Sequence, residues 1–389
     1  MIRRRAAAAL GAALASFPVV ALVGARQTGK TTLARSISSG RRAVFYDLEN
    51  PTDRLLLDDP LRALRVPRGH LVVLDEAQRL PELFPVLRVL VDEDRRAGRF
   101  LILGSATPDL RRQCAESLAG RIETLELTGF TAEEVVPRHG PIELLWTRGG
   151  LPPSFRARSD AESMRWRIAY TRSLVERDLA LFGFGVAVAR MERFVRMLAH
   201  VHGQLWNASH LARSLDIGAT TAGRYLEALE DTFLVRRLPA FSANLGKRLT
   251  RAPKAYIRDT GLLHALLALE SPREILEHPV AGFSWEGFVI EQLAAAAPPG
   301  WEMTFWRTAA GAEIDLVILR GGKPRVAVEM KMNETSPRPS RGFSQGCEDL
   351  DIGERWVVYP GERTLPLPHG VMAFPVAEAV RALRSQAKA

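Results

Sequence analysis

The chain of 389 residues is poor in cysteine: only Cys114 and Cys347 occur, far apart and without His or Cys at ligand spacing. A disulfide framework and a cysteine-type zinc site are thereby excluded, and a reducing compartment fits. Long apolar runs are lacking as well, since no stretch approaches the ~18 uninterrupted apolar residues of a membrane span. The N-terminal MIRRRAAAALGAALASFPVVALVG has the basic start and apolar stretch of a secretory signal. It runs, however, straight into a glycine-rich loop that cleavage would destroy, and Ser16 and Pro18 divide it into a short helix and a strand. The expectation is a cytoplasmic protein with no membrane partner. With 47% hydrophobic and 25% charged residues, wholesale disorder is excluded too.

What the chain has in excess is positive charge: 53 Lys+Arg against 44 Asp+Glu, a net charge of +9. The surplus falls in the first two thirds, while residues 241–389 are near balance. Charge of this sign points to a polyanion without choosing between nucleic acid and an anionic surface. The length predicts two to three domains, each able to bury a core.

VVALVG at residues 19–24 is a β-rich apolar run, and GARQTGKT from Gly24 to Thr31 fits G-x-x-x-x-G-K-[ST], with a helix pattern following. Gly24 and Gly29 let the loop curl so that backbone N–H groups of Gly24, Ala25, Arg26, Gln27, Thr28 and Gly29 face phosphates. Lys30 would reach the β- and γ-phosphates of ATP, the Thr31 hydroxyl would bind Mg²⁺, and Thr32 closes the cofactor set. HLVVLDEAQ then reads as a buried parallel strand ending in acids. Asp75 falls where a Mg²⁺ shell needs a carboxylate, and Glu76 is placed to act as general base on water. A third strand, RFLILGSAT, ends at Ser105 and Thr107. A hydroxyl there either senses the γ-phosphate or belongs to a strand-to-helix turn. Arg121, in SLAGRIETLEL, is either a complement to phosphate charge in its own or a neighbouring subunit or a surface arginine.

In the middle, SMRWRIAYTRSLVERDL gathers Trp166, Tyr170, Leu174 and Leu179 near one helix face, with arginines around it. The stretch from Ala208 reads as a helix (208–215), a turn at Ile217–Gly218, a second helix (219–231) and a strand, a helix-turn-helix with a wing. Thr220, Thr221, Arg224 and Tyr225 are the candidates to face DNA, although Glu227, Glu230 and Asp231 on the same helix also suit a packing role. His200, His202 and His210 do not share a face and are expected to be packed or at the surface. FSANLGKRLTRAPKAYIR (241–258) has no acid and carries Lys247, Arg248, Arg251, Lys254 and Arg258 with Phe241 and Tyr256 between them. It reads as a backbone-tracking strip or as a solvated loop.

Toward the C-terminus, residues 282–293 predict an amphipathic helix bearing Glu286 and Glu291. Two β-rich runs follow, joined by a hairpin signal at Gly321–Gly322. Strand alternation puts Asp315 on the face of Glu313, and Glu329 on the face of Lys331. Converging carboxylates from Glu286, Asp315 and Glu329, with Lys331 beside them, are the D…E-x-K pattern of a metal-dependent nuclease binding Mg²⁺ or Mn²⁺. Gln345 would be an auxiliary residue. Alternating charges on exposed strands give the same spacing, and the proline of that motif is missing.

The order GARQTGKTT, LVVLDEAQRLPELF, LILGSAT, SLAGR, PKAYIRDTGLL resembles a widespread family of prokaryotic AAA-type ATPases with a C-terminal domain of unknown function. The resemblance covers nearly the whole chain. It implies an α/β P-loop NTPase (AAA+-like) with a parallel sheet, then an α-helical winged helix-turn-helix and an α+β PD-(D/E)xK nuclease-like domain. It also implies the roles given above for Lys30, Thr31, Asp75 and Glu76, and a homo-oligomer. Domain bounds are expected at 1–135 (ATPase), 136–188 (helical linker), 189–258 (winged helix and basic strip) and 259–389 (nuclease-like). The function expected is Mg²⁺-dependent ATP hydrolysis that remodels DNA, duplex or branched. The alternatives are a noncatalytic nuclease-like domain or a nucleotide-gated, toxin–antitoxin-like switch with a protein partner.

Overall fold

Residues 2–104, 108–136, 138–178, 188–242, 250–332 and 337–386 are described by the structure, a computed structural model. Contacts divide the chain into two compact units, Met1–Phe130 with Asp231–Phe233, and Thr131–Glu230 with Leu234–Ala389.

The first unit is built on strands β1 (Val19–Val23), β2 (Arg42–Asp47), β3 (His70–Asp75), β4 (Phe100–Gly104) and β5 (Ile122–Glu126). All pair parallel, in the order β2-β3-β4-β1-β5. Because β1 is apolar at every position, it can be covered on both faces. Val19, Ala21 and Val23 face a core with Val72, Leu74 and Ile102, closed by Phe84, Leu87 and Val91 of the helix Leu83–Glu93. Val20 and Leu22 face the other side, with Val73, Leu101 and Leu103. There the helices Ala6–Ser16 and Lys30–Ser38 contribute Leu10, Leu14, Leu33 and Ala34. This is the doubly covered parallel sheet that near-continuous hydrophobic strands require. Ligand chemistry in such sheets belongs at the carboxyl ends of the strands.

The second unit contains the helices Asp160–Ser173, Val188–His200, Ala208–Leu215 and Ala219–Asp231. An antiparallel pair follows, β6 (Val235–Leu238) with β7 (Lys254–Ile257). A mixed sheet then combines β8 (Trp301–Arg307), β9 (Glu313–Arg320), β10 (Lys323–Met330), β11 (Glu354–Tyr359), β12 (Leu365–Leu367) and β13 (Val371–Pro375), ordered β12-β13-β11-β10-β9-β8. Gly321 and Gly322 both take positive φ (59° and 73°), which makes the two-residue turn between β9 and β10. Trp306, Ile314, Val317, Phe343 and Cys347 form its core under the helix Arg341–Asp349.

The three regions expected after residue 136 are thus one compact unit, because PKAYIRDTGLL stitches them together. Asp259 caps the helix Thr260–Leu266 through Leu262 N and also accepts from Gly150 N. The Thr260 hydroxyl donates to Trp146 O, and a Cβ on Gly261 would lie 2.1 Å from Arg148 O. Arg167 is buried and donates to Thr147 O and Gly261 O. The helix Ala281–Ala294 is not amphipathic but buried on nearly every side, with Ser284 bonded to Trp146 and His264.

No helix among the described residues is long and apolar enough to cross a membrane. Leu22 is fully buried at the centre of β1. Leu22→Ala should cost the first unit about 2–5 kcal/mol, read as an earlier urea transition; an unchanged midpoint contradicts the two-sided burial of β1.

Candidate active site

The sheet delivers β1 and β3 to the same edge with β4 between them. After Val23 the chain must turn at once, and Gly24 does so at φ 155°. A Cβ there would lie 2.3 Å from Leu127 O. Gln27 (φ 59°) and Gly29 (φ 94°) are also left-handed, and Gly29 leads into the helix beginning at Lys30. The loop therefore ends on a helix N-terminus, whose N–H groups and dipole favour an anion. Thr28 is buried and its hydroxyl donates to Ala25 O at 2.9 Å. Lys30, only 6% exposed, donates to Gly24 O (3.0 Å) and Ala25 O (2.9 Å), so its ammonium lies on the loop's own rim. Thr32 is exposed, Arg26 and Ala25 half-buried.

At the end of β3 the Asp75 carboxylate accepts the Thr31 hydroxyl through Oδ2 at 2.6 Å. Two residues forty-four apart in sequence, one in the first turn of the helix Lys30–Ser38 and the other at the end of β3, thus converge on one point. A hydroxyl and a carboxylate are the hard oxygen donors that Mg²⁺ takes, and Thr31 and Asp75 fit as the residues that would hold it. Glu76 follows in the left-handed conformation (φ 54°, ψ 44°), which turns its side chain out of the strand. Burial raises its pKa above the ordinary glutamate value, against the lowering influence of Lys30 and of Gln78. The Gln78 amide donates to Glu76 Oε2 and packs against Gly104 at the end of β4, where a Cβ would lie 2.5 Å from Gln78 Oε1. Ser105 and Thr107 lie outside the described residues.

Two contributors were not foreseen. Arg4 donates to Thr28 O (2.7 Å), Thr128 O (2.6 Å) and Gly129 O (3.1 Å), and its guanidinium stacks over Phe130. It ties the phosphate loop to the chain beyond β5. Its sequence signal, one arginine of three before an alanine-rich helix, carries no such information. Gln78 had a weak signal, being two residues beyond Glu76 in DEAQ.

Arg121 lies away from the phosphate loop. Its carbonyl accepts from Val19 N, which puts it at the start of β1 and β5, the sheet edge opposite the phosphate loop. Its guanidinium is engaged by Asp92 (2.9 Å from both Nε and Nη2). It cannot serve its own subunit's phosphates.

In the second unit, Tyr225 is buried against Phe194 and is no reader of bases, whereas Thr220 and Arg224 are exposed. His202 is buried, its Nε2 donating to Phe283 O and its Nδ1 accepting from Ile257 N, while His210 is exposed. Among the described cations of the basic strip, Lys254 and Arg258 are paired with acids rather than open to solvent. Lys247 and Arg248 lie outside the described residues. Lys254, 3% exposed, binds Glu286 Oε1 at 2.8 Å and Glu313 Oε1 at 2.7 Å. Arg258 pairs with Glu291, which also holds Arg236, and the Tyr256 hydroxyl donates to Glu286. Arg251 alone of the described cations there is exposed.

The carboxylates expected to hold a metal do share one neighbourhood, but each already has protein donors. Glu286 is held by Lys254 and Tyr256. Glu329 accepts from Lys331 Nζ (2.8 Å) and Ser340 N (2.8 Å), and Asp315 Oδ2 from Met330 N (2.9 Å). Burial, then Glu286 beside it, push Asp315 up to about 8, against the lowering influence of Lys254. Burial works against the charge of Lys254, yet Glu286, Glu313 and Asp315 raise its pKa above the usual lysine value. Among the described residues no three His, Cys, Asp or Glu are placed to hold a metal ion. Gln345 is exposed and donates to Asp349, away from the cluster.

A glycine-rich loop between parallel strand and helix, closed by a threonine–aspartate contact from a second strand, defines a P-loop NTPase domain. Residues 16–136 match the family described as AAA domain, 141–273 a domain of unknown function (DUF8612) and 281–379 another (DUF4143). The uncharacterized proteins Rv2008c of Mycobacterium tuberculosis and Mb2031c of Mycobacterium bovis are each 49% identical over 373 residues, covering 96% of this chain and 83% of theirs. The chain belongs to this family, which joins an AAA-type P-loop ATPase domain to a C-terminal DUF4143 domain. Among solved structures, the Walker-type ATPase PABY2304 of Pyrococcus abyssi matches at 15% identity and TM-score 0.48, covering 69% of this chain and 96% of that one. The RuvB Holliday junction branch migration motor of Thermotoga maritima matches at 19% and 0.29, covering 61% and 90%. Neither likeness is close enough to transfer an activity.

Two outcomes follow from the site's geometry. Arg4→Ala should weaken ATP binding by about tenfold, the weight of one charge-assisted hydrogen bond, in a nucleotide titration; unchanged affinity contradicts the clip. Because Glu76 has a raised folded-state pKa, its charge costs stability above the ordinary glutamate pKa of about 4.3. That cost grows as pH rises through the folded pKa. Glu76→Gln should therefore melt higher than the native chain at pH 7–8, the gap closing below about pH 4; a gap independent of pH contradicts it.

Proposed function

We propose that the chain is a Mg²⁺-dependent ATPase that remodels DNA, working as a homo-oligomer. The observation that carries the ATPase reading is the 2.6 Å contact between the Thr31 hydroxyl and Asp75 at the mouth of the phosphate loop. Backbone N–H groups from Gly24 to Gly29 and the start of the following helix, including Thr32, receive the phosphates. Lys30 is already at the loop rim and turns its ammonium to the β- and γ-phosphates. Thr31 and Asp75 hold Mg²⁺, which when bound neutralises charge on the phosphates. Glu76 takes the proton of the attacking water: Gln78 holds Oε2, which leaves Oε1 for that proton. A raised pKa brings this carboxylate nearer to working pH as a base.

DNA is the partner favoured by the charge surplus and by the middle of the chain. The helix Ala208–Leu215, the turn after it and the helix Ala219–Asp231 precede the antiparallel pair β6–β7, the element order of a winged helix-turn-helix. Exposed Thr220 and Arg224 lie on its second helix. With Glu227 on the same helix, backbone or shape recognition suits this surface better than base reading.

Lys30→Ala and Glu76→Gln should each abolish ATP turnover, with Glu76→Gln still binding ATP; undiminished hydrolysis in both variants would remove the reading. Turnover measured with single-stranded, duplex and branched DNAs should rise with at least one of them. An unchanged rate with all three, and no binding to any at low salt, contradicts a DNA partner.

A further inference from the structure

The cluster of Glu286, Glu313, Asp315 and Glu329 combines four acids with a buried lysine that reaches them from β7. We propose that Lys254 is the resident cation of this cluster: its ammonium stands where a nuclease-like domain would hold a divalent metal, so the domain binds no metal there and cuts no DNA. The inference is independent of the nucleotide site.

Three observations carry it. Lys254 Nζ contacts Glu286 and Glu313 at 2.8 and 2.7 Å, which brings a carboxylate from the helix Ala281–Ala294 and one from β9 onto a single positive charge. A buried ammonium needs such partners, and with them it satisfies the carboxylates as a metal ion would. The ammonium also lies 5.3 Å from the centre of the Phe305 ring, an aromatic face on the β8 side that favours a cation. Finally, several of the cluster's carboxylate oxygens already accept hydrogen bonds from the chain itself. Tyr256 donates to Glu286, Met330 N to Asp315, and Ser340 N together with Lys331 to Glu329. Lys331, the lysine that the D…E-x-K pattern would direct at a phosphate, is spent on the glutamate two residues before it. Mg²⁺ or Mn²⁺ would need several of these oxygens at once, and would have to displace an ion that is covalently part of the chain.

The same contacts give the cluster a different task. Lys254 and Tyr256 lie on the strand that ends the winged-helix-like segment, and their acceptors lie on the helix and sheet of the C-terminal part. The internal cation clasps these parts of the second unit together.

The test is Mn²⁺ binding to the full chain, read from the electron paramagnetic resonance signal of free Mn²⁺ without nucleotide. The native chain and Asp315→Asn should bind the same amount, and neither should cleave duplex or branched DNA with Mn²⁺ present. A Mn²⁺ ion held by the native chain and lost in Asp315→Asn, or a cleavage lost with it, overturns the proposal. Lys254→Ala should take up one additional Mn²⁺ per chain and melt higher with Mn²⁺ than without, and Lys254→Ala/Asp315→Asn should do neither. A folded Lys254→Ala chain that gains no Mn²⁺ contradicts the placement of the cation. Should that variant fail to fold, the comparison of native chain and Asp315→Asn still decides the question.

Discussion

The hydrogen bond from Thr31 to Asp75 is the contact on which the nucleotide site depends, and it exists only because of strand order. With β4 inserted between β1 and β3, the loop after β1 and the acids after β3 lie at one edge but not on neighbouring strands. A side chain at the first turn of a helix must then reach across the end of β4 to meet the carboxylate. That demand explains the small residue at Gly104, which makes room for Gln78, and the left-handed Glu76. It also explains Arg4, since a loop with three left-handed positions needs an external tie to stay closed. The whole constellation rests on apolar strands buried on both faces, which fix the edge rigidly.

Much of this half is written in the sequence. Loop, helix and acid-tipped strand are local patterns whose chemistry demands a fixed spacing, and GARQTGKT and LVVLDE locate their elements and residues. Arg4 was illegible and Gln78 only weakly marked because their partners are set by chain closure at Thr128 and by β4 packing, neither of which has a spacing rule. Arg121 stayed open for a related reason: its place after Gly120 says nothing about which end of the strand faces the nucleotide.

The second unit was legible in its elements and misread in its charges. Helices at 208–215 and 219–231 and the hairpin at Gly321–Gly322 stand where pattern puts them. An acid-free run such as 241–258, however, looks like a surface only if its counter-ions are sought nearby. Those of Lys254 and Arg258 lie about thirty to sixty residues on, at Glu286, Glu291 and Glu313. Paired burial of opposite charges leaves each segment looking solvated in isolation. Asp315 and Glu329 similarly have the spacing of a metal site, and their donors come from the backbone at Met330 and Ser340 and from Lys331.

The role proposed for Thr31 and Asp75 is to hold together the Mg²⁺ that accompanies ATP. Its most direct measurement is the Mg²⁺ dependence of ATP turnover in Thr31→Val, a variant of similar shape that lacks the hydroxyl. Half-maximal turnover should move to a Mg²⁺ concentration roughly tenfold or more higher, in keeping with the loss of a contact to a charged group. A Mg²⁺ dependence identical to that of the native chain would contradict it.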